Sequence, residues 1–140
     1  MIAIDSNVIL DVLQDGPSAQ HSSNALRDAL AAGAVVFNET TMAEICAKGE
    51  STVICKLLND IGLHFQGTEE RSAIRAGEML KRYRQNGGRR ERVLADFLIG
   101  AHALMQCDGL ITYDGGFHRD YFKGLRVIIP GDPDASLPTQ

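Results

Sequence analysis

Tryptophan is absent, and aromatic residues make up only 6% of the 140-residue chain, too few for the platforms on which single-stranded bases stack. Positive charge is also short. With 14 Lys and Arg against 18 Asp and Glu the net charge is −4. That excludes a nucleic-acid binder working by bulk charge, though not one with a local basic patch. Cys46, Cys55 and Cys107 are an odd set without CxxC spacing, which argues against a disulfide framework or zinc site and for buried, reduced thiols in a cytoplasmic protein. The longest apolar runs, such as Ala31 to Phe37, fall short of a membrane span. The opening Met1-Ile2-Ala3-Ile4-Asp5 has no basic region and meets an acid early, so it does not read as a signal peptide. No repeat or low-complexity tract interrupts residues 1–129.

What is present is an alternation of short apolar runs and helical periodicities. Met1 to Ile4, Ala34 to Phe37, Leu63 to Gln66, Gly109 to Thr112 and Arg126 to Ile129 read as strands. Asn7 to Leu13, Ala19 to Ala32, a segment capped by Thr40 or Thr41 with Met42, Ile45 and Cys46, Ser51 to Asp60, Thr68 to about Gln85, and Val93 to Gln106 read as helices. Tyr113-Asp114-Gly115-Gly116 reads as a turn, and Pro130 to Gln140 as a tail. Uniformly apolar strands alternating with helices predict an α/β fold in three layers, α/β/α, around a mainly parallel sheet of four to five strands. A ligand site then belongs at the carboxyl ends of the strands.

The acids just past those ends are therefore the informative residues. Asp5 follows the first strand directly and Asp114 follows the fourth by two residues. Glu44 lies on the first turns of the helix after the second strand, and Asp96 near the start of the helix feeding the fourth. Singly, Asp5 is a helix cap, Glu44 a solvated residue, Asp96 a first-turn acid and Asp114-Gly115 a turn. Jointly they fall at one sheet edge, where grouped carboxylates repel unless a cation joins them. Hard oxygen ligands select Mg²⁺ or Mn²⁺, and such ions support phosphodiester hydrolysis by activated water. With the four acids set aside, the remaining charges of the chain balance.

Asp5-Ser6-Asn7-Val8-Ile9-Leu10, Thr41-Met42-Ala43-Glu44-Ile45, Val93 to Ala103 (VLADFLIGAHA) and Leu110-Ile111-Thr112-Tyr113-Asp114 occur in the order and spacing of a PIN domain. Over residues 1–129 the chain resembles the VapC-type ribonuclease toxins of prokaryotic toxin–antitoxin modules. The resemblance implies a PIN-like nuclease domain over 1–129 with a tail at 130–140. It implies Asp5, Glu44, Asp96 and Asp114 as the catalytic acids, with Asp5, Asp96 and Asp114 on Mg²⁺ (or Mn²⁺), and Asn7 and Thr112 as supporting polar groups. It further implies an RNA substrate, a cognate antitoxin seated on an apolar groove from helices within residues 7–32 and 41–61, and a homodimer. Many relatives carry a further Asp where this chain has Gly116, so one firm ion is expected; Asp120 is the alternative acid.

Six bases lie between Lys81 and Arg92. The helix dipole accounts for Lys81 to Arg84, but Arg89, Arg90 and Arg92 oppose the dipole of the following helix and are read as contacts to RNA phosphates. His21, His64, His102 and His118 are read as structural or exposed; His118, four residues after Asp114, is the one that can approach the site. Asp11 is read as a surface group. Two other functions fit the same acids. A phosphatase with an aspartyl nucleophile normally places a second acid where Asn7 stands, which counts against it. A catalytically silent PIN-like binding module would not need all four acids.

Overall fold

The computed structural model describes residues 1–89 and 92–132. Arg90 and residues 133–140 of the expected tail lie outside the described residues. The elements run β1 (Ile2–Ile4), α1 (Ser6–Leu13), α2 (Ala19–Ala32), β2 (Val35–Phe37), α3 (Glu39–Cys46), α4 (Ser51–Ile61), β3 (Leu63–Phe65), α5 (Glu70–Gln85), α6 (Leu94–Gln106), β4 (Leu110–Ile111), α7 (Gly115–Tyr121) and β5 (Val127–Ile128). The strands form one sheet in the order β3-β2-β1-β4-β5. Every pairing is parallel, with Ile2 opposite Val35, Ala3 opposite Leu110 and Ile4 opposite Ile111.

Strand alternation divides the core in two. Ile2, Ile4, Val35, Phe37 and Ile111 join Val8, Ile9, Leu26, Ile45 and Leu58 on one face of the sheet. Ala3, Val36 and Leu110 join Ala76, Met79, Leu80, Phe97, Phe117 and Phe122 on the other. A side-chain period of two sends neighbours to opposite faces, so two separate cores mean helices on both sides of the sheet. This is the three-layer α/β/α architecture. The sparse aromatics are concentrated in the second core, where Tyr83, Phe97, Phe117, Tyr121 and Phe122 pack at centroid separations such as 5.1 Å for Phe97–Phe117 and 5.3 Å for Tyr83–Tyr121.

Four local readings are corrected. Gly115-Gly116 begins α7 rather than closing a turn; Gly115 sits so close to the sheet that a Cβ there would lie 2.6 Å from Ile129 Cδ1. The cap of α3 is Asn38, whose side chain accepts from Thr41 N–H at 3.2 Å and donates to Leu98 O at 3.3 Å, tying α3 to α6. β3 is an edge strand with His64 and Phe65 exposed. Cys55 is exposed on α4 and Cys46 and Cys107 are half-buried, because helical spacing puts Ile54 and Leu58, not Cys55, on the buried face of α4. Among the described residues, no helix is long and apolar enough to cross a membrane.

Candidate functional site

The direction in which successive strands are added to the sheet reverses between β1 and β4. From β1 the chain moves outward to β2 and β3, and it returns to place β4 on the opposite side. The crevice at such a switch point opens at the carboxyl ends of the strands. Asp5 leaves β1 there, its N–H bonded to Ile111 O at 2.9 Å, and Thr112 leaves β4 beside it. α6 runs back toward the start of β4, so its N-terminus with Asp96 lies at the same edge.

Asp5 is buried at 6% exposure. Its Oδ2 accepts from Thr112 Oγ1 at 2.8 Å, and the same Thr112 oxygen accepts from Asp114 N–H at 2.9 Å. Thr112 therefore links the two carboxylate-bearing segments directly. Ser6 Oγ lies 2.9 Å from Glu44 Oε1 and 3.4 Å from Asp5 Oδ1, so its single proton serves the nearer acid while the hydroxyl spans both. Burial pushes the Asp5 carboxyl up to about 6; the Thr112 bond opposes this, and the charges of Glu44 and Asp114 add to it. Glu44 and Asp114 are thus each near enough to repel Asp5.

Asp114 is not free. Its two carboxylate oxygens are held by Arg92 in a bidentate pair, Nη2 to Oδ1 at 2.8 Å and Nη1 to Oδ2. The guanidinium carbon stands 4.4 Å above the centre of the Phe117 ring. Bidentate geometry and a ring face make this a well-defined seat for arginine. Asp96 is near enough to Arg92 for their charges to interact. Its Oδ2 accepts from Val93 N–H at 2.9 Å, which steadies the start of α6, and its charge supports the Arg92 cation, less than the Asp114 bond does. Asn7 is exposed at the rim, its Oδ1 3.5 Å from Tyr113 N. Arg89 is exposed, its carbonyl accepting from Tyr83 Oη at 2.6 Å.

Three features go beyond the sequence reading. Ser6 stood out in the sequence only as part of the Asp5 to Leu10 run. His118 is buried, with Nε2 3.9 Å from Asp5 Oδ2 and Nδ1 without a hydrogen-bond partner; burial pushes its pKa down to about 4, so it is neutral near pH 7. Asp11, read as a surface group, instead accepts from the buried Ser22 hydroxyl at 2.6 Å, and Ser22 Oγ lies 2.6 Å from Tyr113 Oη. That chain braces the segment carrying Asp114 against α1 and α2. Asp120 is exposed near the far end of α7 and faces a different groove, lined also by Arg75 and Arg82.

Among the described residues, no three His, Cys, Asp or Glu side chains stand close enough to share a metal ion as they are. The donor chemistry nevertheless fits a hard dication. The anionic groups are carboxylates, the hydroxyls of Ser6 and Thr112 orient them, and Asp5 is buried beside two further negative charges. To meet such an ion Asp114 would first have to part from Arg92.

The family model of the PIN domain matches residues 2–123. Similar solved structures include VapBC2 from Rickettsia felis bound to a DNA fragment from its promoter, at 18% identity over 92% of this chain and 98% of that one, with a TM-score of 0.72. FitAcB from Neisseria gonorrhoeae is 21% identical over 93% and 98%, with a TM-score of 0.63. A toxin–antitoxin complex from Klebsiella pneumoniae is 18% identical over 94% and 99%, with a TM-score of 0.60. At these identities the likeness is one of fold. Among curated proteins none matches significantly. With a parallel sheet in the order β3-β2-β1-β4-β5, acids gathered where β1 and β4 diverge, and a family match across nearly the whole described fold, the chain belongs to the PIN domain family.

Proposed function

We propose that this PIN domain is a Mg²⁺-dependent endoribonuclease, acting as the toxin of a type II toxin–antitoxin pair, with Asp5, Glu44, Asp96 and Asp114 as its catalytic acids. The observation that carries the reading is the meeting of Asp5, Glu44 and Asp114 at the carboxyl edge of the sheet, with Asp5 buried and its carboxyl lifted by burial. Asp5, Asp96 and Asp114 would hold Mg²⁺, or Mn²⁺ in its place. When bound, such an ion lowers the pKa of water and stabilises charge on the phosphoryl oxygens of an in-line displacement.

The chain's own groups do the positioning. Thr112 fixes Asp5 Oδ2 through its hydroxyl and leaves Oδ1 turned toward Ser6 and Glu44. Ser6 holds Glu44 in the crevice, and Asn7 stands at the rim. Arg92 holds Asp114 in reserve; once Asp114 is drawn to a cation, the released guanidinium is a donor for a phosphate oxygen beside the acids. Arg89 and Arg90 supply further positive charge next to Arg92 in the sequence. His118, neutral and buried, walls the crevice and moves no proton near pH 7.

An antitoxin as partner is supported by an apolar groove of about 240 Å³ between α1 and the α3–α4 pair, lined by Leu10, Leu13, Ile45, Val53, Ile54 and Leu57. Val53 and Leu57 are exposed on its wall, as suits a helix laid into it. A homodimer and a cytoplasmic location accompany this reading. The Arg92–Asp114 pair favours a second reading, a PIN module that binds without cutting. One assay separates the two: purified protein with structured RNA, in Mg²⁺ and then in EDTA. Cleavage in Mg²⁺ is expected, with loss in EDTA and in Asp5→Asn and Asp96→Asn variants that keep the parental circular dichroism. Cleavage at the parental rate in either variant, or none in the wild type, overturns the nuclease assignment.

A further inference from the structure

We propose that the groove between α5 and the end of α7 is a second anion site, one that binds the phosphodiester backbone of an RNA whose scissile bond lies at the Asp5 crevice. The inference rests on the RNA-cleaving reading above but is drawn from different residues. The groove encloses about 360 Å³, and Arg75, Arg82 and Lys123 border it together with Asn86, Tyr121 and a single acid, Asp120. Arg75 and Arg82 are spaced so that they share one face of α5. Neither they nor Lys123 form an ion pair among the described residues. Arg75 Nε is buried and has no acceptor.

A buried N–H without an acceptor costs roughly 1–3 kcal/mol, so an arginine set this way at a groove is complete only when an anion fills it. Bulk composition does not explain the cluster, because the chain as a whole carries a net charge of −4. Its position suits the same polymer. The seven residues of α7 rise about 10 Å, from Asp114 at the acidic crevice to Tyr121 at this groove. Tyr83, packed against Tyr121 at 5.3 Å between centroids, also lines a neighbouring cavity bordered by Arg84, Arg89 and Arg92. Cations thus follow α5 from the Arg75 groove to the mouth of the acidic site. The aromatic core lies between the Arg75 groove and the acids, Arg92 reaches Asp114 at the other end, and a flexible polyanion is the ligand that spans such a track.

The test is fluorescence anisotropy with a labelled single-stranded RNA of about 12 nucleotides in EDTA, where binding is read without cleavage. The triple variant Arg75→Gln, Arg82→Gln, Lys123→Gln should bind about tenfold or more weakly, with a log–log salt slope shallower by about 2, as for three lost single-strand phosphate contacts. The charge-keeping variant Arg75→Lys, Arg82→Lys, Lys123→Arg should restore most of both, and Asp120→Asn should tighten binding. Wild-type affinity and slope in the triple variant overturn the proposal, as does RNA that binds no form of the protein. Inorganic phosphate that competes at a few millimolar in the wild type but not in the triple variant supports the site. Poly-glutamate bound through these three cations while RNA affinity is unchanged assigns the groove to an acidic protein segment instead, and overturns it. RNA binding that depends on the triplet in a protein that never cuts in Mg²⁺ leaves this site standing and removes the nuclease reading. Cutting and binding both indifferent to the triplet do the reverse.

Discussion

Asp5 concentrates the conflict between folding and chemistry. Its carboxyl rises from 3.8 to about 6 because burial disfavours the charge. Between those values the folded protein keeps a proton that the unfolded chain releases, so the stability it contributes is complete below the unfolded pKa and is lost as pH rises through about 6. Asp5→Asn removes that dependence. In EDTA near pH 7 the variant should be more stable than the wild type by roughly 1–3 kcal/mol, two pKa units setting the upper bound, and the difference should vanish toward pH 4. Urea denaturation of the pair across that range checks it, and a constant or reversed difference contradicts it. His118 has the opposite sign. Lowered by burial to about 4, it holds the fold neutral, and its contribution is lost as pH falls below the ordinary histidine range. In Asp5→Asn this loss on acidification is no longer offset by the Asp5 proton. The acids were readable in the sequence because each follows a strand end or opens a helix. The pairings of Ser6, Arg92 and His118 were not, because they join partners 38, 22 and 113 residues away.

At the scale of elements, patterning gave most helices and strands to within a residue or two, since their apolar periods match their burial. The exception is α7. A Gly-Gly pair is a turn by local preference, and what makes it helical is tertiary: Phe117 and Tyr121 enter the aromatic core, while Gly115 passes close to Ile129. The same packing constrains α6. A Cβ on Gly100 would lie 2.3 Å from Phe122 Cε2, with Phe122 itself fully buried. Alanine is about 1 kcal/mol better than glycine in a helix, yet overpacking costs about 1–3 kcal/mol or more, so the clash should win. Gly100→Ala is expected to lower the unfolding free energy, and equal or greater stability in denaturant melts would show that Phe122 yields without cost. The cap of α3 illustrates a subtler limit. Asn38, Thr40 and Thr41 are all capping types, and the contacts of Asn38 with Leu98 O and Thr68 Oγ1 accompany its place at the cap.

For the molecule as a whole, the sequence was sufficient for a parallel three-layer fold and for one acidic edge, because both follow from strand–helix alternation. It did not reveal that a cation from the chain already occupies part of that edge. Arg92 neutralises Asp114 in the absence of an ion, so cation binding is an exchange of partners, and releasing that partner should strengthen it. Titration with Mn²⁺, following the free aquo ion by paramagnetic resonance, reads this directly. The wild type should bind one ion, Asp5→Asn should weaken it on the order of tenfold or more, and Arg92→Gln should bind it more tightly than the wild type. Mn²⁺ bound equally by the wild type and Asp5→Asn would contradict the claim that these carboxylates converge to hold a metal.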